Sequence, residues 1–255
     1  MNKINQFYTE YNEDARLRKN KASSIEFLTT NHFIELCLNP GMKILDIGAG
    51  TGVYSIYYAK KGYSVTAVDL VEKHINFIKA KTKPEYNLQV YQENAMDLSR
   101  FSDGEFDIVL CLGPLYHLRS KEDKIRCIKE AIRVCKKGGK IFFGYISNDM
   151  VFITENFVYE KGFLSSDSYD RFTFYVYDNI FYYMTISEMI LLMESTPTKK
   201  VFHFAADGLS ELLAAQINLF TPEEFELWYK FHLHSCCKEE MLGCSNHIVY
   251  VAEKM

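Results

Sequence analysis

The chain has 255 residues, 48% of them apolar, enough for one large domain with a sizeable core. Basic residues number 29 and acidic residues 33, for a formal charge of −4, which argues against a phosphate backbone as partner. Met1 to Lys21 lacks the apolar stretch of a secretory signal, and no run approaches the roughly 18 apolar residues of a membrane span, so the expectation is a cytoplasmic protein without membrane contact.

In chain order, Tyr8–Lys21 is rich in Tyr and Arg and is a candidate to fold over a ligand. Ser23–Leu38 then reads as a helix, with Ile25, Leu28, His32, Ile34 and Leu38 as inward candidates, broken by Asn39-Pro40-Gly41. Next, β-branched runs alternate with helical stretches. Lys43–Ile47, Ser64–Val68, Leu88–Tyr91, Phe106–Leu112 and Lys140–Tyr145 read as strands; Val53–Lys61, Val71–Lys81 and Lys121–Cys135 read as helices. Ile125, Ile128, Ile132 and Cys135 mark the buried face of the last helix, and Gly138-Gly139 is expected to cap it. Such alternation implies an α/β fold, a mainly parallel sheet with helices on both faces.

Asn148 to Tyr183 is unusually aromatic. It follows a strand whose C-terminal end is a ligand-binding edge in open α/β sheets, so its rings are expected to wall much of a pocket for an apolar or cationic molecule. Plain packing or a subunit contact would also use them. Thr185-Ile-Ser-Glu188 is a capping box opening the helix Ile186–Glu194. Lys200–Ala206 reads as a strand, Leu209–Ile217 and Thr221–His234 as helices, and His247–Ala252 as the last strand. Pro222 takes the first helical position after Thr221.

The most informative stretch is Ile44-Leu-Asp46-Ile-Gly48-Ala49-Gly50-Thr-Gly52, a strand running into three glycines and then a helix. Glycine is required where the backbone turns sharply against a ligand, and the free N–H groups of the following helix suit an anion. At the end of the next strand, Asp69 is placed to accept the two hydroxyls of a ribose. Dinucleotide sites want G-x-G-x-x-G; here the pattern is G-x-G-x-G, with Val53 where the third dinucleotide glycine would stand. Leu45-Asp-Ile-Gly-Ala-Gly-Thr-Gly52 resembles the first motif of class I S-adenosylmethionine-dependent methyltransferases. Glu93-Asn-Ala-Met-Asp97 resembles the segment in which that family meets adenine, with Asn94 in place of the usual Asp. An Asn oxygen still accepts from the adenine amino group, although an Asx turn would also employ it.

Phe106–His117 occupies the place of the family's fourth motif. It is neither the Asn/Asp-Pro-Pro-Tyr/Phe run of nucleobase amino methylation nor the Pro-Cys pair of cytosine carbon methylation, and Cys111 reads as core. Gly113-Pro-Leu-Tyr116-His117-Leu instead resembles a bacterial branch of small-molecule-type enzymes. The likeness extends over Asp14-Ala-Arg16-Leu17, Glu26-Phe27-Leu-Thr-Thr30, Asp207-Gly-Leu-Ser-Glu-Leu212 and Leu242-Gly-Cys-Ser-Asn-His247, and thus over nearly the whole chain.

The resemblance implies a Rossmann-like seven-stranded sheet with the last strand antiparallel and a single domain over 1–255. Within it, 1–40 would be a helical cap, 43–147 the cofactor core, 148–184 an aromatic insert and 185–255 the rest of the sheet with a helical insertion at 208–245. It implies S-adenosylmethionine as cofactor, S-adenosylhomocysteine as product and a small-molecule acceptor as partner. The expected cofactor contacts are Asp46, Gly48, Ala49, Gly50, Gly52, Asp69, Leu70, Asn94, Ala95 and Leu112, with Arg16 a candidate either for the methionine carboxylate or for a surface ion pair. Tyr116 and His117 are the catalytic candidates: His117 would take the acceptor's proton, or else merely bond the substrate or cap a helix. Because a sulfonium methyl is already activated, alignment can supply most of the rate. An NAD-dependent oxidoreductase and a non-catalytic binding protein stay open as rivals. The seven cysteines are scattered and odd in number, which suits reduced thiols. His232, His234, Cys236, Cys237, Cys244 and His247 lack the spacing of a zinc site, and no metal is expected.

Overall fold

Each of the three longest helices begins where a side chain satisfies one of its first N–H groups. The structure, a computed structural model, describes residues 7–8 and 13–255. Helix α1, Lys21–Glu35, starts two residues before the predicted Ser23, because Asn20 accepts from the Ser23 N–H and Ser23 returns the bond to the Asn20 N–H. It ends three residues short of Leu38. Its buried face runs through Ile25, Thr29, Phe33 and Ile34, leaving Leu28 and Leu38 half-buried; His32, taken as inward, is exposed. Strand β1 (Lys43–Ile47), α2 (Val53–Lys60), β2 (Ser64–Asp69), α3 (Glu72–Lys81), β3 (Leu88–Gln92), β4 (Phe106–Cys111), α4 (Lys121–Val134) and β5 (Cys135–Ile146) follow.

The glycine pair after α4 plays a different part from the one expected. The helix stops at Val134 and the chain enters β5 at once, Cys135 pairing with Phe106 and Lys140 with Ile108. Gly138 turns at φ +77°, and a Cβ on Gly139 would meet Cys135 Sγ at 2.6 Å and the Asp107 carbonyl at 2.7 Å. The pair therefore makes a bulge in the strand instead of a helix cap.

Beyond β5 come α5 (Asn148–Thr154), the aromatic insert, α6 (Ile186–Glu194), β6 (Thr198–Ala205), α7 (Pro222–Ser235) and β7 (His247–Lys254). The capping boxes of Thr185 with Glu188 and Thr221 with Glu224 both form. The helix predicted over Leu209–Ile217 is broken into a turn at Gly208–Ser210 and a single helical turn at Ala214–Ile217. Its start is pinned elsewhere: the N–H groups of Asp207 and Gly208 go to Ser245 Oγ, and Gly208 sits at φ +52° against His232.

The sheet order is β3-β2-β1-β4-β5-β7-β6, with β7 antiparallel to both neighbours. One face packs under α4 and α6, through Ile128, Ala131, Leu192 and Met193 against Val109, Phe143 and Tyr145. The other packs under α1 and α2, where Phe33 stacks on Phe204 with centroids 4.1 Å apart. Burying each such side chain is worth roughly 1.5–3 kcal/mol. The sheet matters to function through one edge. Gly48, Asp69 and Gly113 follow the carboxyl ends of parallel strands, and His247 begins β7 opposite Ile146, the end of β5. Antiparallel entry of β7 thus brings His247 to the same edge.

Candidate functional site

The loop after β1 is held open by its glycines. Gly48, Gly50 and Gly52 lie at φ +68°, +55° and +80°, in the left-handed region. A Cβ on Gly48 would stand 2.9 Å from the Pro114 ring, so residues 48 and 114 press together under a cavity mouth. The Gly48 and Ala49 N–H groups bond the Val68 carbonyl, which ties the loop to the end of β2. Asp69, buried at that end, accepts the Gly50 N–H on Oδ2 at 2.8 Å and the Val71 N–H on Oδ1 at 2.8 Å. His74 Nδ1 lies 3.2 Å from the same Oδ1, while its Nε2 is buried with no hydrogen-bond partner among the described residues.

These groups face a cavity of about 460 Å³ lined by Gly48, Gly50, Asp69, Leu70, Asn94 and Ala95, with Tyr116, His117 and His74 beside them. Six of the expected cofactor residues therefore converge. The donor set fits a nucleoside carrying an amino acid: a glycine cradle that a Cβ would fill, a buried carboxylate, and a buried imidazole nitrogen still wanting a partner. Asn94 departs from expectation in one respect. Its Oδ1 accepts the Met96 N–H at 3.0 Å in an Asx turn, so the oxygen has one lone-pair direction left.

Five expected contacts lie outside the lining of that cavity. Asp46 is buried beneath the loop, where its carboxylate accepts the Ser55 hydroxyl at 2.5 Å; burial, reinforced by Asp69, pushes its pKa up to about 6. Ala49 and Gly52 shape the loop, Gly52 as the left-handed residue before α2. Leu112 packs its backbone against Gly144, whose Cβ would meet the Leu112 carbonyl at 2.5 Å. Arg16 makes the ion pair that was one of its two expected roles, two-pronged to Glu26 at 2.6 and 3.2 Å, and lines a different cavity.

His117, the candidate base, has a partner at each ring nitrogen. Its Nδ1 donates to the Ile180 carbonyl at 3.0 Å, and its Nε2 pairs with the Tyr8 hydroxyl at 2.9 Å. Burial holds its pKa below the usual imidazole value. Both nitrogens are spent within the protein, so the ring ties the N-terminal segment and the insert to the end of β4. Tyr116 lies on both cavities, its ring beside Phe181. Residues 9–12 of the Tyr-rich segment expected to cover the ligand lie outside the described residues; Tyr8 itself borders both cavities.

The second cavity, about 570 Å³, adjoins the first at Tyr8 and Tyr116. Of the aromatic insert, Tyr159, Phe181 and Tyr183 line it, and Tyr182 lines the first cavity. The other rings divide. Phe163 and Tyr169 join Val176 in a small core, while Phe157 and Phe172 are 74% and 93% exposed. The insert therefore walls the cavity with fewer rings than expected, because some of the others pack into its own core and the rest face outward.

Opposite the rings is a charged group that the sequence did not bring together. His247 Nδ1 lies 2.7 Å from Asp207 Oδ2 and 3.6 Å from Glu26 Oε2, and Arg16 closes the chain of charges on Glu26. Ser245 bonds the Asp207 carboxylate. Burial alone would lower the His247 pKa, but the Glu26 and Asp207 carboxylates hold it up at about 9. Burial opposes ionisation of Glu26, and Arg16 and His247 more than reverse that, leaving its pKa below the usual carboxylate value. Donor atoms of Glu26, Asp207 and His247 lie within 4.8 Å of one another, a spacing a metal ion accepts. Here the Arg16 guanidinium and the proton on His247 already neutralise both carboxylates. The C-terminal residues weighed for zinc are scattered instead: His232 and Cys236 are buried, His234 and Cys237 exposed. The signal in the sequence was that Arg16, Glu26, Asp207 and His247 each sit in a separate segment quoted above for its likeness.

The sheet order and glycine loop define a Rossmann-like fold of the class I methyltransferase type, and residues 45–143 match the family model of the methyltransferase domain. YqeM of Bacillus subtilis, which is named as a methyltransferase, is 36% identical over 112 residues, 44% of this chain and 45% of its own. The ubiquinone biosynthesis O-methyltransferase of Hydrogenovibrio crunogenus is 31% identical over 150 residues, 57% of each chain. The match thus spans about half the length of these curated relatives. Among solved structures, the PH0226 protein of Pyrococcus horikoshii superposes with a TM-score of 0.64 at 17% identity, over 98% of this chain and 99% of that one. A SAM-dependent methyltransferase of Methanosarcina mazei gives 0.59 at 20% identity, over 88% and 97%. These structural likenesses establish a shared fold. Among the described residues, no helix is long and apolar enough to cross a membrane.

Proposed function

We propose that this protein binds S-adenosylmethionine in the first cavity and methylates a small molecule held in the second. The observation that carries this reading is the pair of cavities meeting at Tyr8 and Tyr116 on the carboxyl edge of the sheet. When bound, the cofactor supplies a sulfonium-activated methyl group. Asp69, its Oδ2 committed to a single N–H, keeps acceptor capacity for ribose hydroxyls, and the left-handed glycines let the backbone approach the ligand. Asn94 and Ala95 line the end suited to adenine. Tyr116, bordering both cavities, is the residue placed to orient the acceptor. An acceptor that reacts at an O–H or N–H gives up that proton, ultimately to solvent, as its new bond to carbon forms and the sulfur–methyl bond breaks. With both His117 nitrogens engaged, alignment at the cavity junction is the main contribution of these residues to rate.

The methyltransferase-domain match and the relatives named for ubiquinone O-methylation support a small-molecule acceptor, and the seven free cysteines support a reducing, cytoplasmic location. They also favour a methyltransferase over a nicotinamide enzyme. Calorimetric titration tests the reading: S-adenosylhomocysteine should bind one to one, and Asp69→Ala should weaken it at least about tenfold, since hydrogen bonds to a charged group contribute roughly 1.5–3 kcal/mol each. Tight NAD binding with none of S-adenosylhomocysteine would overturn it.

A further inference from the structure

The second cavity is lined by four carboxylates and three basic side chains, an excess of one negative charge when all are ionised. Its charged lining comprises Arg16, Lys19, Glu26, Glu155, Asp207, Glu211 and His247. Arg16 is committed to Glu26 and His247 to Asp207, while Lys19 is exposed. Two carboxylates remain. Glu211 accepts only the neutral amide of Asn246, and the Glu155 carboxylate makes no hydrogen bond or ion pair among the described residues.

We propose that the acceptor carries a protonated amine, drawn to Glu155 and Glu211 and packed against the rings of Tyr159, Phe181 and Tyr183. This deepens the methyltransferase reading and rests on it for the word acceptor, but the binding preference belongs to the cavity itself. An ammonium group supplies what both carboxylates lack, N–H donors and positive charge, and aromatic faces attract the same charge. Burial, and then the like charges of Glu160, Asp178 and Glu211, raise the Glu155 pKa. A carboxylate-bearing acceptor would add to that repulsion, and a neutral one would leave it unrelieved. A bare metal ion fits poorly, since the metal-compatible cluster among the described residues is Glu26, Asp207 and His247, without Glu155 or Glu211. Ring walls suit an organic cation.

Three isosteric probes decide the matter: 2-phenylethylamine, 2-phenylethanol and 3-phenylpropionate, each titrated at pH 7 into protein saturated with S-adenosylhomocysteine and followed by ligand-observed NMR. The amine should bind about tenfold or more tightly than the alcohol, with the acid weakest. Glu155→Gln and Glu211→Gln should each lower amine affinity about threefold to tenfold while leaving alcohol and S-adenosylhomocysteine binding unchanged, which also shows that the variants fold. Equal binding of alcohol or acid, failure of all three probes to bind, or an amine preference that survives both substitutions would overturn the proposal. If S-adenosylhomocysteine itself does not bind, the cofactor reading fails, and the amine preference is then measured on the protein alone.

Discussion

Replacing His247 by Gln should remove a pH-dependent part of the protein's stability whose size follows from the charged group around it. The imidazole faces Asp207 at 2.7 Å, Glu26 at 3.6 Å and, beyond Glu26, the guanidinium of Arg16. Its pKa stands at about 9, against roughly 6.5 for a free imidazole. The folded value lies above the unfolded one, so the stabilisation is complete below about pH 6.5 and is lost as the pH rises through 9. A difference of about 2.5 at 1.36 kcal/mol each is on the order of 3 kcal/mol, near the upper end for a side chain that is 24% exposed. Urea unfolding of wild type and His247→Gln at intervals from pH 6 to 10 measures it. The gap between the two should be largest at pH 6 and should shrink by roughly 2–3 kcal/mol towards pH 10; thiols and the amino terminus cancel in the subtraction. A gap that stays constant would refute the reasoning, because it would mean that the folded protein does not hold His247 charged.

Gly48→Ala puts a side chain at φ +68° and a Cβ 2.9 Å from the Pro114 ring. It should lower the melting temperature and cut S-adenosylhomocysteine affinity by about tenfold or more, since the left-handed backbone alone costs roughly 1–2 kcal/mol. Gly138→Ala, at φ +77° in open space, should bear the backbone cost without touching affinity, and equal losses in the two variants would contradict the cradle. A thiol reagent at neutral pH should modify Cys237 first: it is exposed, and the Cys236 thiol beside it lowers its pKa. Cys111, raised by its contact with Cys127 and by burial, and Cys135, pushed by burial up to about 12, should resist until unfolding. Peptide mass spectrometry after timed labelling reads the order, and early modification of Cys111 would count against the packing described.

Local chemistry was legible in the sequence wherever a few adjacent residues decide the outcome. The Thr185 and Thr221 boxes and the glycine turn after β1 follow from side chains bonding backbone within four residues, or from backbone angles that glycine alone adopts readily. The alternating pattern carried the sheet for the same reason, since apolar periodicity reports burial along one element. Its errors came where a distant partner decided. Gly138-Gly139 became a bulge because β4 lies alongside, and the helix after Asp207 broke because Ser245 holds its first N–H groups. His117 had the right chemistry for a base, and only the folded chain spends its two nitrogens on Tyr8 and Ile180. Arg16, Glu26, Asp207 and His247 stand up to 231 residues apart in the chain, as the numbers 247 and 16 show. No spacing rule joins such residues. They meet because β7, running antiparallel, begins beside the end of β5 and so brings His247 into the cavity that Arg16, Glu26 and Asp207 also line. That convergence, and the unbalanced carboxylates of Glu155 and Glu211 next to it, is a property of strand order and packing, and tertiary structure alone decided it.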